Sequence, residues 1–413
     1  MGRWLQDLVR YAHQKLLPPA AWRHARDGRK RPEILPGTLW LTAWMGFLLQ
    51  VPSVEQLERL ARRHFRRWLP RGQRPPSGDA LRDGMDRADL GALQRLFIAV
   101  MKAVKAMKAV PFVDGWRVAA IDATHFFSSP LCKCEDCRAQ HHRDGSVTYN
   151  HAAVFCHGVG PAPRLFWGYE PMHPGEGETT AALRLLAWLY THFKHFVDVL
   201  LFDAGFAKAP FLRAVLGYGY HFVVRLKDER MQIVQDALGL FARRRPDRQW
   251  VEAGQRGKPT VEVKVWEDEG FTSWEGMPPL RVVYVEETEL SGRRAGTVHR
   301  ILAATDLSAK QAPLETIRRL VHARWVIENT GFHEAKTRWH LDHGYVHTAT
   351  AIQAVHWLQM LAINVMRMFF QRHLRAFGRD GETLAEAARA LVGELCWGPT
   401  LSPAVKQLIW DTS

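Results

Sequence analysis

Two aspartates in this sequence each follow a short apolar run. Residues 118–121 lead to Asp122, and residues 197–202 lead, with one polar interruption, to Asp203. Runs of this kind predict buried strands, and a carboxylate at the end of such a strand is costly to bury without a partner or a metal. If the strands are parallel neighbours, both carboxylates meet at the edge where open α/β sheets place their ligands. Convergent carboxylates predict a site for Mg²⁺ or Mn²⁺.

A third carboxylate follows much later in the chain. Arg324 and Glu328 are four residues apart in a predicted helix over residues 313–337, so they share one face. The ordinary interpretation is a weak surface ion pair. The adjoining face is strongly apolar, with Val321, Trp325, Ile327 and Phe332. This face favours packing of the helix against the sheet. Glu328 would then complete a two-metal site, which activates a water or a 3′-hydroxyl and stabilises the leaving oxygen of a phosphodiester.

A cysteine-rich loop follows the first aspartate. Cys132, Cys134, Cys137 and His141 have the ligand types of a closed tetrahedral zinc site, and His142 is an alternative to His141. Free thiols in a loop are the competing interpretation, and the sequence leaves both open.

The charge of the chain indicates a polyanionic partner. The 413 residues carry a formal net charge of +14 with 47% hydrophobic residues, which is typical of a globular protein that binds nucleic acid. Residues 1–110 hold 21 Lys and Arg against 9 Asp and Glu. A predicted helix over residues 54–68 carries four arginines at i,i+4 spacing: Arg62, Arg63, Arg66 and Arg67. We interpret them as a face that contacts phosphates, and the alternative is an ordinary solvated helix face.

Two further classes are excluded by composition. Five cysteines in this length do not make a disulfide scaffold. The longest apolar runs are too short or too polar to cross a bilayer, and no signal-peptide pattern is present, so we expect a soluble, cytoplasmic protein without a membrane partner.

The elements that must position these residues form five segments. Residues 1–110 predict a helical, basic DNA-binding domain. Residues 111–227 predict the order β-β-β-α-β-α-β, which indicates an α/β sheet of mixed direction. Residues 228–307 predict a β-rich insertion, residues 308–375 the second half of the catalytic unit with the glutamate helix, and residues 376–413 a helical tail.

Together these motifs resemble a known family. Residues 121–124, residues 201–206 and residues 324–329 with Lys336 are similar to the motifs of DDE transposases of bacterial insertion sequences. The similarity is to the group with a ribonuclease H-like catalytic domain and a β insertion, and it covers roughly residues 110–370. Two departures are Val321, where the family often has tyrosine, and a gap from glutamate to lysine that is one residue longer than usual.

The resemblance implies the following roles. Asp122, Asp203 and Glu328 would hold Mg²⁺ or Mn²⁺ and act in catalysis, while Arg324 and Lys336 would position transposon-end phosphates. The enzyme would cut transposon ends and transfer the 3′-hydroxyl to target DNA, as a homodimer on paired ends in the cytoplasm, associated with the nucleoid when bound to DNA.

Three more residues are candidate DNA contacts. Arg225 and Lys227 finish a predicted strand on the side of the aspartates. In relatives a tryptophan of the insertion stacks on a flipped base, and Trp266 is the first candidate for that role here, with Trp274 as the second. The alternative interpretation is that these tryptophans are part of the core. Two other functions stay open: a catalytically silent DNA-binding protein, either a domesticated transposase or a zinc-dependent regulator, and a metal-dependent nuclease without strand transfer.

Overall fold

The computed structural model describes most of the chain. The described residues are 4–17, 22, 26–65, 69, 72–131, 134–254, 259–372 and 384–397.

The N-terminal part is helical. Side-chain caps start three of its helices: Ser53, Ser77 and Asp89 each accept a hydrogen bond from a backbone N–H of the first turn, which satisfies a donor that has no partner within the helix. The helices are α1 (Trp4–Tyr11), which continues in a π turn (Ala12–Leu16), α2 (Pro36–Leu48), α3 (Val54–Leu60), which continues in a π turn (Ala61–Phe65), α4 (Gly78–Asp86) and α5 (Leu90–Ala106).

The centre of the molecule is one mixed sheet. Its strands are β1 (Phe112–Val113), β2 (Trp116–Ser129), β3 (Arg138–His141), β4 (Val147–Gly158), β5 (Phe166–Pro171), β6 (Val199–Phe202), β7 (His221–Leu226), β8 (Arg248–Glu252), β9 (Val261–Phe271), β10 (Leu280–Glu289) and β11 (Val298–Thr305). The order across the sheet is β3-β4-β2-β6-β7-β11-β10-β9-β8, with β5 on the outer edge of β4 and β1 beside β2.

Five of these strands make the ribonuclease H-like core. β5, β4 and β2 are antiparallel neighbours, while β6 and β7 run parallel to β2 and follow crossover helices α6 (Glu178–Phe193) and α7 (Ala209–Gly217). Parallel strands need such crossovers, which explains the alternation of strand and helix in this stretch. The predicted fold class, a mixed α/β sheet of the ribonuclease H type with a β-rich interruption, is confirmed.

The β-rich stretch continues this sheet. It begins with helix α8 (Gln232–Phe241), and its last strand, β11, pairs antiparallel with β7. The buried Thr305 hydroxyl at the end of β11 donates to the carbonyl of Phe222 on β7, which adds a side-chain hydrogen bond to the ladder. The insertion therefore extends the catalytic sheet by four strands.

The chain then returns to helix. α9 (Leu314–Val326) runs into a π turn (Ile327–Phe332) and a short α10 (His333–Thr337), followed by α11 (Ala349–Arg372) and α12 (Leu384–Trp397). α11 is buried along most of its length and packs against α2, α4 and α5. The N-terminal helices thus share one core with the catalytic unit, and the domain boundaries drawn from the sequence stay predictions. None of the helices in the described ranges combines the length and apolarity that crossing a membrane requires.

Candidate active site

Asp122 and Asp203 occupy matching positions on neighbouring strands. β2 and β6 pair in parallel, with Val118 opposite Val199 and Ala120 opposite Leu201. Continued by two residues, this register brings Asp122 opposite Asp203. β6 ends at Phe202, as expected, but β2 does not end at the aspartate: it continues to Ser129 because β4 pairs with it along its other edge.

The Asp203 carboxylate is only partly satisfied within the chain. Its Oδ2 lies 3.3 Å from Nζ of Lys227, which follows β7. Its Oδ1 is buried and has no hydrogen-bond partner among the described residues. A buried oxygen without a partner is costly, and it is what a site for a hard cation would provide.

Arg324 joins the third carboxylate to the first. The Arg324 side chain is 6% exposed, and its Nη1 lies 2.7 Å from Oε1 of Glu328 and 3.6 Å from Oδ2 of Asp122. α9 contacts β6 and β7, and the following π turn contacts β2, so the glutamate helix lies against the strands that carry the aspartates. Glu328 itself is 46% exposed on its side chain and faces solvent.

A π turn explains the longer gap between the glutamate and the lysine. The turn Ile327–Phe332 contains Glu328, and a π turn accommodates one extra residue relative to an α-helix. The extra residue is therefore absorbed before Lys336, whose Nζ donates to the carbonyl oxygen of His125 on β2 at 2.6 Å. The spacing departs from the family pattern, while the lysine still reaches the strand of Asp122.

The two aspartates have opposite pKa shifts. Burial raises the pKa of Asp122 to about 7, against the lowering effect of Arg324, and Glu328 and Glu178 raise it further. Burial also acts to raise the pKa of Asp203, but three groups outweigh this effect and hold the pKa below its ordinary value. They are the backbone N–H of Ala204 and the positively charged side chains of Arg324 and Lys227. Neighbouring carboxylates with divergent pKa values are typical of functional sites.

Glu178 is an acidic neighbour that the sequence reasoning missed. It opens α6, and its charge acts on Asp122. A Cβ added to Gly205, two residues after Asp203, would lie 3.4 Å from its Oε2. The sequence feature that could have identified Glu178 is its position in the first turn of the helix before the second aspartate strand.

The predicted basic face of residues 54–68 is only partly described. Arg62 and Arg63 are exposed in the π turn after α3, and Arg62 pairs with Glu58 at 2.5 Å. Arg66 and Arg67 lie outside the described residues. Arg62 and Arg63 lie in a π turn that changes the α-helical repeat, and their predicted stacking on Arg66 and Arg67 stays a prediction.

The other candidate DNA contacts are held by neighbours. Arg225 is half-buried on β7, with its guanidinium carbon 6.0 Å from the centre of the Trp325 ring. Trp266 is half-buried on β9, and its indole N–H donates to the carbonyl of Arg244 at 3.0 Å. Its ring packs against Tyr284 with centroids 5.3 Å apart. A contact of either residue with DNA stays a prediction.

The cysteine cluster has different histidines from those predicted. Cys134 and Cys137 lie with His151 and His347, and one ligand atom from each falls within 4.8 Å of the others. Cys132 is outside the described residues. His141, the predicted fourth ligand, has an exposed side chain on β3 and is not part of the cluster, because β3 runs away from Cys137.

The sequence did contain a signal for one of these histidines. β3 and β4 pair with Arg138 opposite Asn150 and His141 opposite Val147. Continued by one residue, this register brings Cys137 opposite His151. Because Asp144-Gly145 is a recognisable turn, the pairing of the two strands around it could have been extended from the turn to Cys137 and His151. No neighbouring sequence pattern indicated His347.

A known protein family matches the part of the chain that carries two of the three carboxylates. The model of the transposase DDE domain matches residues 137–365, more than half of the chain. Asp203 and Glu328 fall inside the matched residues, and Asp122 precedes them on β2. None of the curated proteins compared with the chain matches it. The resemblance drawn from the motifs is confirmed, and the chain belongs to the family of transposases with a DDE domain.

Proposed function

We propose that this protein is a metal-dependent DNA transposase whose catalytic carboxylates are Asp122, Asp203 and Glu328. The observation that carries the proposal is their convergence: two aspartates at matching positions of parallel strands, and a glutamate linked to the first of them through Arg324. The family supports a transposase-type activity on DNA. The cutting and joining steps and the residue roles are the proposed part.

The residues fit a Mg²⁺ or Mn²⁺ site. All three donors are carboxylates, the oxygen ligands these ions prefer, and Asp203 Oδ1 is a buried acceptor without a partner among the described residues. A bound divalent cation would supply an activated water or 3′-hydroxyl and charge stabilisation of the leaving oxygen. Asp122, Asp203 and Glu328 would hold it.

The chain's own cations have complementary tasks. Buried Arg324 partly neutralises Asp122 and Glu328, so it holds the carboxylates together against their mutual repulsion. Lys227 does the same for Asp203 from the end of β7. Lys336 is half-buried and donates to the carbonyl of His125 on β2, three residues after Asp122, where its ammonium group can meet a phosphate of the bound DNA end.

DNA binding would extend from this edge onto other basic surfaces. Arg62 and Arg63 are exposed, and the first 110 residues carry a net charge of +12. Trp266 presents a partly exposed aromatic ring on the insertion, suited to stacking on an extruded base. Because transposition joins two ends, we propose that two copies of the chain act together on paired ends.

The test is a cleavage and joining assay with DNA from the ends of the protein's own genomic locus. Wild type should cut and join in Mg²⁺ or Mn²⁺, and D122N, D203N and E328Q should each lose about a thousandfold or more, corresponding to about 4 kcal/mol of barrier. D236N is the matched control, since Asp236 is an exposed acid on α8 and should leave the rate unchanged.

Each outcome decides between the candidate functions. Cleavage and joining that vanish only in the three carboxylate variants support the transposase. Cleavage without joining would replace it with a metal-dependent nuclease. End binding by wild type with no chemistry in either metal would replace it with a DNA-binding protein that has lost, or never had, catalysis.

A further inference from the structure

Four side chains outside the catalytic carboxylates form a compact cluster of soft donors. The Sγ atoms of Cys134 and Cys137 are 3.8 Å apart. Nε2 of His151 lies 3.4 Å from the first sulphur and 3.3 Å from the second. Nε2 of His347 lies 3.5 Å from Sγ of Cys137.

These distances match four of the six edges of a zinc tetrahedron, and the other two, from His347 to Cys134 and to His151, are at most 4.8 Å. With Zn–S of about 2.3 Å and Zn–N of about 2.05 Å, tetrahedral angles require about 3.8 Å between two sulphurs and about 3.6 Å between sulphur and nitrogen. The four distances that join Cys134, Cys137, His151 and His347 agree with these values to within about 0.3 Å. A cation at the centre would be in reach of all four donors.

Two metal-free interpretations fit less well. A disulfide between Cys134 and Cys137 needs sulphurs about 2.05 Å apart, far closer than the 3.8 Å observed. A hydrogen-bonded cluster needs a separate proton for each contact, yet a neutral His151 offers only one donor or one acceptor at Nε2 for two sulphurs at similar distances. A single cation satisfies all four groups at once.

We propose that Cys134, Cys137, His151 and His347 bind one structural Zn²⁺. Two thiolates balance the charge of the ion, and a closed set of two sulphurs and two imidazole nitrogens is the donor set of structural zinc. Hard ions such as Mg²⁺ prefer oxygen, so this site and the proposed carboxylate site select different metals.

The place of the cluster in the fold indicates what the ion does. Cys134, Cys137 and His151 belong to the hairpin that leaves β2, whereas His347 lies between α10 and α11, 210 residues after Cys137. The two parts of the catalytic unit are separated in sequence by the whole β insertion. Zinc would therefore tie the segment that follows Lys336 to the far end of β2.

Neighbouring contacts support this clamp. The ring of Phe127, near the end of β2, packs on His347 with centroids 4.4 Å apart. The Phe127 N–H donates to the carbonyl of Asp342 at 3.3 Å, and Lys336 donates to His125 two residues earlier on the strand. A metal at the cluster would hold this contact in place, and with it the lysine beside the strand that carries Asp122.

The experiment is metal analysis of the purified full chain, desalted without chelator. We expect about one zinc per chain in wild type, and loss of that zinc in C137S and H347A. H141A is the matched control, since His141 is a predicted ligand that the described cluster does not include, and this variant should keep zinc. Zinc retained in H347A but lost in H141A would overturn the assignment.

A second measurement does not depend on variants that fold. Replacing zinc by Co²⁺ in wild type should produce the visible absorption of tetrahedral cobalt together with thiolate-to-cobalt charge transfer. Zinc-free wild type, or cobalt without the thiolate band, would refute the site. D203N should keep its zinc, so failure of the proposed catalysis and failure of this site are distinguishable.

Discussion

Arg367 on α11 supports the turn that carries Glu328. Its side chain is 5% exposed, and Nη2 donates to the carbonyl of Thr330 at 3.0 Å and to Oε2 of Glu334 at 2.9 Å. Its Nη1 also reaches Nε2 of the buried His157 at 2.9 Å. A π turn weakens the regular ladder of backbone hydrogen bonds, and Arg367 supplies a donor to a carbonyl within it.

Removing the Arg367 guanidinium should lower the free energy of unfolding. Glu334 is only 15% exposed on its side chain, so R367M leaves a largely buried carboxylate without its partner. Breaking a buried ion pair from one side costs about 3–5 kcal/mol. E334Q removes the charge but keeps an acceptor, so it should cost less, about 1–3 kcal/mol. In R367M/E334Q no unpaired carboxylate remains, so the double variant should cost about 1–3 kcal/mol less than the two single costs added together.

The assay is urea unfolding followed by far-UV circular dichroism, on wild type and the three variants. Cleavage by R367M at a temperature where it stays folded should fall about a hundredfold, because a displaced Glu328 weakens the proposed metal site. R372M, on the last turn of the same helix, is the control. A cost below about 1 kcal/mol for R367M, or strict additivity in the double variant, would refute the reasoning.

Three further outcomes follow from other contacts. N364L should destabilise the protein by about 2–5 kcal/mol in urea unfolding, because the fully buried Asn364 amide bridges the backbone N–H and C=O of Phe166 at 2.9 and 2.7 Å; a loss under about 1 kcal/mol would contradict this. The hydrogen bond to Asp306 raises the pKa of His221, so its stabilising effect is full below about pH 6.5 and is lost as pH rises through the raised value. H221Q should therefore lower the thermal midpoint at pH 5.5 more than at pH 8.5, and equal shifts would count against it. W266A should slow cutting or joining while W266F retains most of the rate, and equal rates for both would assign Trp266 a packing role only.

Local pattern was enough for the strands that carry the aspartates. Apolar runs ending at Asp122 and Asp203 predicted buried strands, and the parallel pairing on which their convergence depended is found between β2 and β6. The position of Glu328 on a helix after a β-rich stretch was likewise readable, because helical spacing and strand alternation are properties of a few neighbouring residues. Their catalytic roles and the DNA contacts remain proposals.

The sequence could not reveal how β2 or the glutamate helix is shaped beyond those motifs. β2 continues past Asp122 because β4 offers a second pairing edge, which is a tertiary fact. The π turn at residues 327–332 depends on donors from outside the helix, with Arg367 on the Thr330 carbonyl and Arg164 on its hydroxyl. From the sequence alone, the gap from Glu328 to Lys336 was therefore a departure from the family pattern without an explanation.

What the sequence determined by itself was the kind of chemistry: hard carboxylate donors at strand ends, a basic chain, and paired cysteines after the first aspartate. Only the tertiary structure decided which groups meet. Glu178 approaches Asp122 from a crossover helix, and His347 joins Cys137 across 210 positions of chain. Side-chain type and short-range periodicity are encoded locally, whereas contacts between distant segments exist only once the sheet and α11 have packed together.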